Sequence, residues 1–108
     1  MRSDSDRVDD ILRAIARIER EAKVGGRDRF LHDEMLQTWV VHHLEIIGEA
    51  VKGLSEAYRA ARPAIPWSAV ARMRDRLTHG YWDIDLEAVW QTIERDLPDL
   101  RAAITEPD

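Results

Sequence analysis

The stretch RMRDRLTHGYWDID, residues 72 to 85, holds the side chains that acid–base chemistry at a phosphate needs. Arg74 carries a permanent charge on a planar fork that matches two phosphate oxygens at once. His79 is the side-chain type whose proton moves most readily near neutral pH. Asp75 and Tyr81 stand close by: a carboxylate that biases an imidazole toward its charged form, and a hydroxyl that both donates and accepts. RNA can be cut without metal by its own 2′-hydroxyl. That reaction asks for a base at the hydroxyl, an acid at the leaving 5′-oxygen and cationic donors around the charged phosphorane. A plainer reading fits the same residues, in which Asp75–His79 is an ordinary i,i+4 surface pair and His79 complements a helix dipole. The residues alone leave both open.

Composition narrows the setting. A chain of 108 residues has room for one domain with a modest core, taken here as residues 1–108. Its 44% hydrophobic and 34% charged residues fit a folded, soluble protein rather than a disordered one. There is no cysteine, so disulfides and thiolate metal sites are excluded. No apolar leader and no membrane-length apolar run is present, which points to a cytoplasmic protein that does not span membranes. A net charge of −5 argues against a protein that coats nucleic acid with its whole surface. Charge is uneven, however: Arg59, Arg62, Arg72, Arg74 and Arg76 face one acid, Asp75, a local +4.

The elements that must position these residues read as helices throughout. Val8, Ile11, Leu12, Ile15 and Ile18 predict a first helix from Asp4 or Ser5 to about Lys23, broken by the paired glycines of VGGRD. A long second helix is predicted over residues 28–59, with Leu36, Val40, His43, Leu44, Ile47, Val51 and Leu54 on one stripe. Met35, Trp39, Ile46 and Ala50 widen it. That breadth, with Gly48 in mid-helix, suggests close approach of another backbone and a homodimer. ARPAIP reads as a loop, after which a third helix is predicted from Trp67 to His79, stopping at Gly80. Asp83 or Asp85 caps a fourth helix through Leu86, Val89, Trp90 and Ile93, with a kink or restart at Pro98 before Leu100 and Ile104. The expected architecture is an all-α antiparallel four-helix bundle. On it Asp75 and His79 share a face, while Arg74 and His79 diverge by about 140° unless the last turn frays or the two meet across subunits.

RMRDRLTHGYWDID resembles the R-x4-H-x-Y signature of HepT-like proteins, a branch of the HEPN domains. LEIIGEAVKGLSE (44–56), IPWSAVARMR (65–74), VW (89–90) and DLPDL (96–100) resemble that family's pattern in the same order, so the likeness covers most of the chain from about residue 30. The resemblance implies a homodimeric HEPN-type bundle acting as a metal-independent endoribonuclease, the toxin of a bacterial toxin–antitoxin pair. Its partner would be a cognate minimal nucleotidyltransferase antitoxin that AMPylates the motif tyrosine. Carried over by residue, Arg74 and His79 are catalytic, Tyr81 is the AMPylated residue and Asp75 is supporting. Arg72, Arg76 and Trp82 are candidates for contact with RNA or antitoxin. One departure is Asp75, where the family often has asparagine; an ionised carboxylate repels phosphate. The alternative is a non-catalytic HEPN module that binds a nucleotidyltransferase partner, with nucleotide as an optional second ligand.

Other features invite chemistry less. His42, His43, Glu45 and Glu49 have helical spacing that suggests a metal, but the order is the reverse of the Glu-x-x-His used in di-iron bundles. His43 falls on the apolar stripe and reads as a core histidine, and His32 reads as surface. No metal and no cofactor is expected. Trp67 and Trp90 read as core, leaving Trp82 as the tryptophan nearest a ligand.

Overall fold

The computed structural model describes residues 3–79 and 83–105. These residues are helical apart from short connections and one isolated antiparallel bridge between Thr78 and Ile84. The helices are α1 (Asp4–Ala22), α2 (Gly26–His32), α3 (Glu34–Gly53), α4 (Glu56–Ala60), α5 (Trp67–Ala71), α6 (Met73–Leu77), α7 (Leu86–Gln91) and α8 (Leu97–Thr105), with a π turn over Thr92–Asp96 joining the last two. They group as four arms in chain order: α1, then α2–α4, then α5–α6, then α7–α8. The expected all-α bundle is therefore present, with three of its arms broken into segments.

Each break has a local cause. Ser3 opens α1 with a reciprocal capping box, its hydroxyl accepting from Asp6 N while Asp6 Oδ2 accepts from Ser3 N. Gly25 ends the first turnaround at φ +82°, a left-handed conformation, and a Cβ there would lie 2.6 Å from Arg29 Cβ. The predicted single helix over 28–59 is interrupted twice. Asp33 turns extended and its carboxylate accepts from Leu36 N at 3.0 Å, so it ends α2 and caps α3. Ser55 does the same for α4, accepting from Tyr58 N at 3.1 Å. In the last arm Pro98 has no N–H to give, and the chain loosens into the π turn just before it, with Leu97 N bonding back to Thr92 O.

The core is apolar and continuous. Ile11, Ile15 and Ile18 of α1 meet Val40, Leu44, Ile47 and Val51 of α3, and Phe30, Leu77, Val89 and Leu97 close it from the other arms. Burying each such side chain stabilises the fold by about 1.5–3 kcal/mol. The α1–α3 pair is antiparallel, since the start of α1 meets the end of α3: Asp4 accepts from Ser55 N at 2.8 Å and from Ser55 Oγ at 2.6 Å. Arg101–Glu19 and Arg27–Glu87 ion pairs tie α8 to α1 and α7 to α2. Among the described residues no helix is long and apolar enough to cross a membrane.

Gly48 has its explanation inside the chain. A Cβ at this position would lie 3.0 Å from the carbonyl oxygen of Ala71, so the glycine lets α5 press against α3. It therefore carries no argument for a second subunit, contrary to the expectation drawn from sequence.

The Asp4–Ser55 junction has a pH signature. The Ser55 hydroxyl, then its backbone N–H, hold the Asp4 carboxyl below the ordinary aspartate range, outweighing an opposing loss of hydration, with the charge of Arg62 a lesser aid. A carboxyl lowered in the folded state contributes stability above its unfolded value and loses it as pH falls through the folded one. Asp4→Asn should therefore be less stable than the parent at neutral pH. The two should converge below the depressed value, as read from urea midpoints across an acid titration.

Candidate functional site

The arm carrying the R-x4-H residues is pinned from beneath and open above. Met73 and Leu77 of α6 are buried in the core, which leaves Arg74, Asp75 and Arg76 on the outer side. The arm breaks at Arg72 (φ −106°, ψ 15°), so α5 and α6 are separate short helices rather than one. Arg74 lies over α3. Its Nε is 3.3 Å from Glu45 Oε2, and its Nη1 is 3.8 Å from Asp75 Oδ1. The Glu45 contact is an ion pair without an aligned hydrogen bond: Arg74 Nε is shut off from solvent and has no hydrogen-bond partner.

The helix ends earlier than the sequence suggests. It stops at Leu77 rather than His79, and Thr78 is extended (φ −129°, ψ 143°). Thr78 closes the last turn, its N–H and its hydroxyl both donating to the carbonyl of Arg74, at 3.1 and 2.9 Å. The chain is then clamped: Asp85 N donates to Leu77 O at 2.8 Å and His79 N donates to Asp83 O at 2.6 Å. Asp85 also caps α7 through Ala88 N. His79 thus stands on an exposed bend just past the extended Thr78, not on a helix. The predicted Asp75–His79 pair is not formed, since it needed one more helical turn; Asp75, 78% exposed, faces Arg74 instead. No hydrogen bond or ion pair joins the side chains of Arg74 and His79. Tyr81, Trp82 and the expected stop at Gly80 lie outside the described residues.

The arginine-rich region separates into different roles. Arg62, half-buried, sits over the Tyr58 ring at 3.7 Å and donates to Tyr58 O at 3.2 Å. The carbonyls of Arg59 and Arg62 both accept from Trp67 Nε1, and that tryptophan is core as expected. Arg72 and Arg76 remain exposed. Arg76 rims an apolar depression of about 400 Å³ that also includes Val70, Met73, Asp99, Leu100 and Ala103.

The histidine and glutamate cluster of α3 resolves in the same way. His43 is buried, its Nδ1 is 2.8 Å from Trp39 O and its ring packs, tilted, against Trp39 with centroids 4.1 Å apart, so it is a core histidine whose N–H is satisfied. Trp90 is buried against Phe30. Among the described residues no group of three or more histidines and carboxylates is placed to hold a metal ion. The residue that sequence reasoning missed is Glu45, which it weighs only as a metal candidate and sets aside, with no link to Arg74. A signal was present, because Gly48 one turn later marks where the next arm approaches.

Comparison with known proteins gives this arrangement its relatives. The family model described as ribonuclease HepT-like matches residues 11–106. A protein of Thermococcus cleftensis named "Probable ribonuclease HepT" is 40% identical over 100 residues, which cover 93% of this chain and 91% of the relative. A protein of Caldanaerobacter subterraneus subsp. tengcongensis named "Putative RNase" is 38% identical over 89 residues, covering 82% of this chain and 79% of the relative. No solved structure matches. With the family model spanning nearly all of the bundle and the R-x4-H residues in place on it, the chain belongs to the HepT-like ribonuclease family.

Proposed function

We propose that this protein is a metal-independent endoribonuclease and the toxin of a bacterial toxin–antitoxin pair. The observation that carries the reading is Arg74, held at the surface of α6 with its side chain 39% exposed, five residues before the exposed His79, in a chain of the HepT-like family. The RNA 2′-oxygen attacks the adjacent phosphorus and the bond to the 5′-oxygen breaks. One proton leaves the 2′-hydroxyl and one reaches the 5′-oxygen. His79 serves proton transfer and Arg74 neutralises the phosphorane. The products are a 2′,3′-cyclic phosphate and a free 5′-hydroxyl.

The test uses protein made without its partner, incubated with labelled RNA in EDTA. The parent should cut and leave cyclic phosphate ends, and His79→Ala should be slower by at least about a hundredfold. Intact RNA after incubation with folded parent overturns this reading. It leaves the non-catalytic module that binds a nucleotidyltransferase, which two carboxylates beside Arg74 would suit.

Regulation by AMPylation rests on family membership and on Tyr81 standing two residues after His79. The Tyr81 oxygen would attack the α-phosphorus of ATP with release of pyrophosphate. The added phosphate would bring negative charge and bulk beside the arginine that RNA needs. Co-production with the cognate minimal nucleotidyltransferase should raise the intact mass by one or more adenylate units and abolish cleavage. Tyr81→Phe should stay unmodified, and a mass gain in that variant places the modification elsewhere.

A homodimer is part of the proposal, formed through the outer face of α3. Met35 is 85% exposed, and with Trp39, His42 and Ile46 it follows helical spacing along one side. Met35, Thr38, Trp39 and His42 line an open depression of about 580 Å³. An exposed methionine beside a partly buried tryptophan is the kind of patch a second copy covers. The parent should sediment as a dimer and Met35→Glu as a monomer with unchanged helicity. A monomeric parent would dismiss the dimer.

A further inference from the structure

Glu45 is the residue near the candidate site whose role neither the fold nor the proposed chemistry explains. It lies on the outside of α3 with its side chain 51% exposed, yet it brings a carboxylate oxygen to 3.3 Å from Arg74 Nε. That nitrogen is enclosed and lacks an aligned acceptor. An N–H kept from water calls for an acceptor, and a small rotation of the Glu45 carboxyl would supply one. An arginine head can then be held by its Nε side while Nη1 and Nη2 remain for a bidentate grip on phosphate.

We infer that Glu45 is a positioning residue for Arg74, fixing the guanidinium so that its terminal nitrogens meet the scissile phosphate. This rests on the ribonuclease reading above. Charge decides what kind of help Glu45 gives. With Glu45 and Asp75 beside Arg74, one cation and two anions sum to −1, so the pair of carboxylates works against attraction of RNA. Glu45 therefore contributes through geometry in the chemical step and not through affinity.

This gives an uncommon kinetic pattern. Glu45→Ala should lower kcat by about ten- to a hundredfold, the cost of a loosely held catalytic group, while KM stays level or falls. Glu45→Gln keeps an oxygen at the same reach and should restore most of kcat. In 15N spectra the Arg74 Nε–H resonance should stand apart from those of free arginines in the parent and in Glu45→Gln, and merge with them in Glu45→Ala. Both variants change a half-exposed side chain and can be checked for native helicity. A parent-like kcat in Glu45→Ala, a loss carried wholly by KM, or an unmoved Arg74 resonance overturns the inference. If Glu45 merely competes with RNA for Arg74, both variants will raise kcat/KM at constant kcat, which also overturns it. A parent that cuts nothing overturns the ribonuclease reading and the catalytic part of this one. The Arg74 resonance then still decides whether Glu45 holds the side chain.

Discussion

Where α3 would carry a side chain at position 48, the carbonyl of Ala71 stands instead, within 3.0 Å of the place a Cβ would take. Glycine inside a helix costs roughly 1 kcal/mol against alanine, and here that cost is offset by the packing of two arms at close range. The consequence runs along the antiparallel pair. Three residues on from Ala71 is Arg74, and three residues back from Gly48 is Glu45, so the approach that needs the glycine also sets the arginine beside the glutamate. A wider separation would leave Arg74 to wander over the surface on its own torsions. The placement of the candidate site is thus a by-product of backbone packing one turn away.

The second constraint is the early helix end. Thr78 takes the Arg74 carbonyl with both of its donors, and the Asp85 and Asp83 backbone groups then hold the outgoing chain. Leu77 is anchored in the core immediately before this point. His79 is therefore carried on a segment whose start is fixed by burial and whose course is fixed by two backbone hydrogen bonds. Such a segment keeps a histidine exposed at a defined exit from α6, whereas a longer helix would have turned it onto the face of Asp75.

These two features explain what was legible in the sequence and what was not. Apolar periodicity is a property of single elements, so α1, the α3 stripe, the core roles of His43, Trp67 and Trp90, and the disturbance at Pro98 were all readable from spacing. The breaks at Asp33 and Ser55 were readable in principle, since both are capping residues that bracket the stripe from Leu36 to Leu54, but the predicted helix runs past both ends of it. Thr78 was harder. A β-branched residue with a back-bonding hydroxyl occurs inside helices as well as at their ends, and nothing local says that Asp85 will pair with Leu77. Glu45 was hidden for a different reason. Its partner lies on another arm, and within its own helix the nearer histidines offered a more familiar pattern.

The same separation of local and distant effects bears on how an acidic protein would meet RNA. At a net charge of −5 the whole molecule repels a polyanion at long range. At physiological ionic strength that field is screened over about 8 Å, so what a phosphate meets at contact is set by neighbours. The arginine-rich region does not act as one patch there. Arg62 is committed to the Tyr58 ring, and Arg74 is flanked by two carboxylates. Arg72 and Arg76, two residues before and after Arg74 in sequence and both exposed, are left to supply local attraction from other faces of the arm. Attraction and chemistry would then fall to different arginines. Arg72 and Arg76 would bring the backbone in, and Arg74, held and partly neutralised, would gain its advantage from being in the right place when the phosphate arrives.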